Sequence, residues 1–138
     1  IVGFPGESEK HFRDGLDFVK EIDFSGGHGF RYSPRPGTPA EKMENAILES
    51  EKRNRSRKMR SVISESEIRY QGKFIDRQVS VLWERVAKLD DGKFLMVGLT
   101  GNYLRVSALA NEDLQNTISN VQLLKISGNL LSGNIIFI

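Results

Sequence analysis

The chain contains no cysteine. That excludes a disulfide framework and any metal or cluster site built on thiolates. Only two histidines are present, His11 and His28, too few to build a metal site alone. No apolar run approaches the roughly 18 residues of a membrane span, so no membrane contact is expected. The excess of one charge sign is also small. A net charge of +2 gives little global steering toward a polyanion. The missing cysteines fit a cytoplasmic protein. What remains is an ordinary composition, 38% hydrophobic and 28% charged over 138 residues, enough for one domain or two small pieces.

The opening "IVGFPGESE" lacks an initiator Met and a signal-peptide pattern. The chain starts inside what reads as a buried strand, so a piece of a longer protein is expected. Residues 1–4 are apolar and β-branched and run into Pro5-Gly6, which predicts a strand ending in a turn. Ser8 is placed to cap a helix reaching Ile22, with Phe12, Leu16 and Val19 as its buried stripe. His11 falls in its first, exposed turn. A glycine-rich loop follows, and "GFRY" reads as a second short strand. Strand, helix, strand is the pattern of a βαβ unit with a parallel sheet.

"YSPRPGTPAEKM", from Tyr32 to Met43, is too rich in proline for a strand interior. Thr38, Pro39 and Glu41 read as a capping box with proline at the first helical position. That accounts for the end of the motif and leaves Tyr32, Ser33, Pro34 and Arg35 unexplained. The helical region that follows is expected to reach Tyr70, with a break near Asn45. Met59, Val62, Ile63, Ser66 and Tyr70 mark its packing face. From Lys52 to Arg60 the chain reads "KRNRSRKMR", six basic residues and no acidic one. This run reads either as a solvated basic edge, with Arg53, Arg57 and Arg60 off the packing face, or as a contact for phosphates.

After Gln71-Gly72 the texture becomes alternating. "RQVSVLWERV", "KFLMVGLT", "YLRVSAL", "VQLLKIS" and "LLSGNIIFI" read as five strands, with turns at 90–92, 101–102, 111–120 and 127–129. Trp83 is expected in the core. Five short strands without a helix between them predict a small antiparallel barrel, with the boundary near residues 66–72.

Three segments together resemble one family, the radical-SAM tRNA methylthiotransferases. "IVGFPGESEKHF" is similar to a strand and loop late in their radical-SAM barrel. "YSPRPGTPAEKM" is similar to the segment that closes it. "LTGNYLRV", from Leu99 to Val106, is similar to their C-terminal TRAM domain, an RNA-binding barrel of OB-like shape. The Asn-Tyr-Leu-Arg-Val run leans toward the threonylcarbamoyladenosine branch. The isopentenyladenosine and ribosomal-protein branches, and a stand-alone RNA-binding module, are the alternatives. The resemblance implies an α+β chain: residues 1–66 a βαβ remnant of a radical-SAM partial TIM barrel with a connecting helix, residues 67–138 a five-stranded antiparallel OB-like barrel.

It further implies that the whole enzyme adds a methylthio group to carbon 2 of a modified adenosine beside the anticodon. The cofactors it implies are S-adenosylmethionine and two 4Fe-4S clusters. Their cysteines are absent here, so this chain alone is expected to bind no cofactor and to be inactive. The partners implied are the tRNA anticodon arm and the missing N-terminal portion of the same protein. No catalytic or metal-ligating residue is expected. Gly3, Pro5, Gly6 and Glu7 would lie near S-adenosylmethionine, or simply form a turn before a helix. Tyr32 and Arg35 would meet RNA, or be half-core and capping residues. Asn102, Tyr103 and Arg105 offer an amide, a ring and a guanidinium for single-stranded RNA, or form an ordinary polar strand face. Lys73, Arg77 and Lys93 are further candidates for phosphate contact.

Overall fold

The structure, a computed structural model, describes residues 1–136. It divides into two compact units, Ile1–Tyr70 and Gln71–Ile138.

In the first unit, α1 spans Glu9–Ile22. The Ser8 hydroxyl accepts from the His11 N–H at 3.1 Å. His11 Nδ1 in turn accepts from the Ser8 N–H at 3.4 Å. This is a reciprocal capping box with histidine where glutamate is usual. Asp23 ends the helix in the left-handed region, at φ 55°. Phe12 is fully buried, and Leu16 and Val19 are half-buried behind it, as the spacing predicts.

The two expected strands flanking α1 are reduced to one parallel bridge, Val2 with Arg31. Its bonds run from the Val2 N–H to the Phe30 carbonyl (2.9 Å) and from the Tyr32 N–H to the Val2 carbonyl (2.8 Å). A parallel pair needs strands beside it and cover on both faces, which residues 1–70 do not supply.

The predicted helix start at Thr38 is also corrected. Residues Pro39–Lys42 form a single 3-10 turn. The Thr38 hydroxyl donates back to the Arg35 carbonyl at 2.8 Å. The Glu41 carboxylate accepts from the Gly37 N–H at 2.8 Å instead of closing a box with Thr38. Met43 is then extended, and Asn45 adopts φ 61°, a conformation asparagine tolerates. The long helix α2 spans Glu49–Gly72. Val62 and Ser66 are buried along it, with Met59, Ile63 and Tyr70 half-buried, the predicted face.

The second unit is a closed barrel of β1 (Gln78–Lys88), β2 (Phe94–Thr100), β3 (Arg105–Ala110), β4 (Ile118–Ser127) and β5 (Leu130–Ile136), in the order β1-β2-β3-β5-β4. The expected last strand extended to residues 137 and 138, which lie outside the described residues. Strand β4 begins at Ile118, so Ser119 and Asn120 belong to a ladder and not to the preceding turn. Asn120 pairs with Ser80, whose hydroxyl donates to its side-chain oxygen at 3.0 Å.

The barrel is mixed, not antiparallel throughout. β3 and β5 pair in parallel through Val106–Leu131 and Ser107–Ser132. Closure dictates this: five strands in a ring cannot alternate direction at every join, so at least one pair must be parallel. The core is the alternating inner set, with Val81, Trp83, Met96, Val106, Val121, Leu123 and Leu131 fully buried. The Trp83 indole N–H is satisfied inside by the Ser119 hydroxyl at 3.0 Å.

Two bends allow closure, and each joins a bulge to a glycine. The β1–β2 register shifts between Trp83 and Arg85, where Trp83 faces Gly98. The β4–β5 register shifts between Leu123 and Lys125, where Leu123 faces Gly133. A Cβ on Gly98 would run into the Leu82 carbonyl oxygen, and one on Gly133 into that of Gln122. The extra residue sharpens the local twist, and the bare glycine lets the backbones approach.

Candidate nucleic-acid interface

The loop joining β2 to β3 is organised by Thr100, which is buried. Its hydroxyl accepts from the Leu104 N–H at 2.9 Å and donates to the Asn102 side-chain oxygen at 2.7 Å. Its carbonyl accepts from the Tyr103 N–H at 3.0 Å. These bonds hold Tyr103 at φ 64°, in the left-handed region that a non-glycine residue enters at some cost. The sequence pattern placed Tyr103 on a strand; it sits instead in the turn, with its side chain outward and 83% exposed. Arg105 opens β3 opposite Leu99 and is exposed, while Leu104 and Val106 point into the core. Asn102, Tyr103 and Arg105 are thus all exposed within four positions at this end of the barrel, an amide whose oxygen is tied to Thr100, an aromatic ring and a guanidinium.

The other predicted residues of this unit are distributed. Val81 pairs with Thr100, so Arg77, just before β1, lies at the same end of the barrel as this loop. Its guanidinium sits 5.7 Å from the Phe74 ring centroid. Lys73 is exposed in the turn following α2. Lys93 lies at the far end of β2, about 20 Å away at ~3.3 Å per residue, and its ammonium is 3.7 Å from Asp91.

In the first unit, Gly3, Pro5, Gly6 and Glu7 form a turn with a buried ionic lock. The Glu7 N–H donates to the Phe4 carbonyl at 2.9 Å across Pro5 and Gly6, and Gly6 has φ 80°. This matches a type II turn. One Glu7 carboxylate oxygen accepts from both the Gly3 N–H and Arg55 Nη1, each at 2.7 Å. Arg55 Nη1 also donates to the Glu7 carbonyl at 2.7 Å, and Nε donates to Glu51 at 3.0 Å. The Arg55 side chain is only 6% exposed. Burial works against its charge, but the hydrogen bonds to Glu7 and Glu51 outweigh that and hold its pKa above the usual guanidinium value.

Tyr32 packs edge-on against Phe4, centroid to centroid 5.0 Å, with the Lys52 ammonium 5.6 Å from its ring. Arg35 is exposed on the proline segment. Sequence reasoning missed Arg55 and Lys52, reading both into the basic edge. The signal was available: stepping the packing face back from Met59 by three or four residues lands on Ser56, Arg55 and Lys52, all buried.

The chain has no thiolate to offer an iron–sulfur cluster, and no set of three metal-ligating side chains occurs among the described residues. Its residues do not fit such a cluster. No helix among the described residues is long and apolar enough to cross a membrane.

No family model matches the chain. It is similar to several curated proteins. It is 34% identical over 125 residues to the threonylcarbamoyladenosine tRNA methylthiotransferase MtaB of Bacillus subtilis, covering 91% of this chain and 28% of that protein. It is 37% identical over 136 residues to the tRNA-2-methylthio-N(6)-dimethylallyladenosine synthase of Clostridium novyi, covering 99% of this chain and 30% of that protein. To the MtaB protein of Thermotoga maritima it is 43% identical over 84 residues, covering 61% of this chain and 19% of that protein. The chain thus spans less than a third of the length of these relatives.

Proposed function

The chain fits the C-terminal part of a tRNA methylthiotransferase, and on that premise we propose that its barrel is the RNA-holding, TRAM-like module of such an enzyme. The observation that carries the reading is the exposed pair Tyr103 and Arg105. A tyrosine 83% exposed, on a turn whose backbone is bonded to a buried threonine, offers a stacking surface for an unpaired base. A guanidinium two residues on meets phosphate or a base edge. Residues upstream of this chain would hold two 4Fe-4S clusters and S-adenosylmethionine. The whole protein would add a methylthio group to carbon 2 of a modified adenosine beside the anticodon, in the cytoplasm. The chain's first unit would close the radical-SAM barrel, with the Gly3–Glu7 turn near S-adenosylmethionine.

The Asn-Tyr-Leu-Arg-Val run favours the threonylcarbamoyladenosine branch, although proteins named for both branches are similar to this chain. Nucleoside mass spectrometry of tRNA from cells lacking the gene distinguishes them by which modified adenosine loses its methylthio group.

The RNA surface is tested by anisotropy with a labelled anticodon stem-loop and the whole chain. Tyr103→Ala is expected to weaken binding by about 5- to 150-fold, from ~1–3 kcal/mol of stacking per base. Arg105→Ala is expected to lower the salt slope by about one phosphate contact. Parental affinity and slope in both variants would remove the assignment.

A further inference from the structure

An open cleft of about 520 Å³ in the first unit is lined by Arg31, Ser50, Arg53, Ser56, Arg57 and Arg60. Four of its six lining side chains are guanidiniums and none is acidic. Arg53, Arg57 and Arg60 follow one another at i, i+4 and i+7 on one side of α2, spread over ~10 Å at ~1.5 Å per residue. Arg31 comes from the bridge with Val2, beside them. The loop before it lies close enough to α2 that a Cβ on Gly29 would sit 3.2 Å from Arg60 Cγ. The Ser56 hydroxyl donates to the Gly29 carbonyl at 3.4 Å, tying loop to helix.

The charges are poorly compensated. Arg31 pairs with Glu49 at the rim, 3.1 Å away and exposed. Glu49 also bridges to Lys52, whose hydrogen bond is the chief reason its carboxyl is held below the usual range. Arg57 reaches only the Asn54 amide oxygen at 3.3 Å. Arg53 makes no hydrogen bond or close ion pair among the described residues and has only the longer-range charge of Glu49, and Arg60 has no ion pair or hydrogen bond among them. Like charges spaced by three and four residues destabilise a helix. An anion in the cleft removes that repulsion.

We propose that this cleft is a second RNA site, gripping the phosphate backbone of a strand through Arg31, Arg53, Arg57 and Arg60. The proposal rests on the reading of the barrel as RNA-holding. Backbone positions spread over ~10 Å along α2 let the guanidiniums meet successive phosphates of one strand, which favours a polymer backbone over a single phosphate. It recognises backbone and not bases, so it adds affinity without sequence preference.

The test uses the whole chain and the labelled anticodon stem-loop over a salt series. The Arg53→Gln/Arg57→Gln/Arg60→Gln variant keeps helix-forming side chains. It is expected to bind about tenfold or more weakly and to lose about 2 from the slope of log K against log salt. The single Arg57→Gln variant loses about 0.7 and serves if the triple variant loses helix by circular dichroism. Parental affinity and slope in these variants, with Tyr103→Ala weakened, would overturn the cleft and leave the barrel reading standing. Loss in the cleft variants with Tyr103→Ala unaffected would leave the cleft and remove the barrel assignment. If the parent binds no RNA, both fail. Cleft-dependent binding to phosphatidylserine vesicles without binding to RNA would also overturn the proposal.

Discussion

Arg55→Ala is expected to cost the first unit about 3–5 kcal/mol, the cost of stranding one member of a buried ion pair. The Glu7 carboxylate would keep only the Gly3 N–H as a donor, in a site where its side chain is 17% exposed. Hydrogen exchange is the suitable probe, because it reads α1 and the Gly3 amide separately from the barrel. Both are expected to lose protection, while β1–β5 keep theirs. Glu7→Gln should cost less, since Arg55 keeps Glu51 at 3.0 Å and has Glu9 at 3.7 Å. A loss within about 0.5 kcal/mol for Arg55→Ala would mean that the lock behaves as a surface pair.

Gly98→Ala is expected to destabilise the barrel by about 3 kcal/mol or more, at the severe end of overpacking. The new methyl group would meet backbone, the Leu82 carbonyl oxygen, and lie 2.8 Å from Val81 Cγ1. A backbone oxygen in a bulged ladder cannot swing aside as a side chain can. Gly101→Ala is the control: a Cβ there meets nothing within 4 Å. Thermal unfolding of the two variants should separate them clearly. Equal stability would show that the β1–β2 bend does not depend on the bare glycine.

These two sites mark the limit of what the sequence shows. The strands were legible because alternation is local: Val81 and Trp83 point inward wherever the barrel closes. The helix at Ser8 was legible because its cap is written in adjacent residues. Closure was not. Gly98 reads as a weak point in a strand until Leu82 is known to cross it. The parallel β3–β5 pair follows from counting strands in a ring, not from any residue in them.

Thr38 failed as a cap for another reason. Its hydroxyl found the Arg35 carbonyl first, and Glu41 found Gly37. Nearby backbone groups offered both side chains other partners, and propensity alone does not rank the winners. Tyr103 was found as a candidate but misplaced by one element, because Thr100 pulls the chain into a left-handed turn where alternation predicts strand. Arg55 was hidden by its neighbours. In a run of six basic residues, charge outweighed the helical spacing that places Arg55 under Glu7.

The most direct measurement is a backbone-amide NMR titration of the chain with the anticodon stem-loop. The largest shifts are expected in the barrel at residues 101–105, with only smaller ones at Lys93, at the opposite end of β2. Shifts centred on the Lys93 end, with the Tyr103 loop silent, would contradict the barrel assignment.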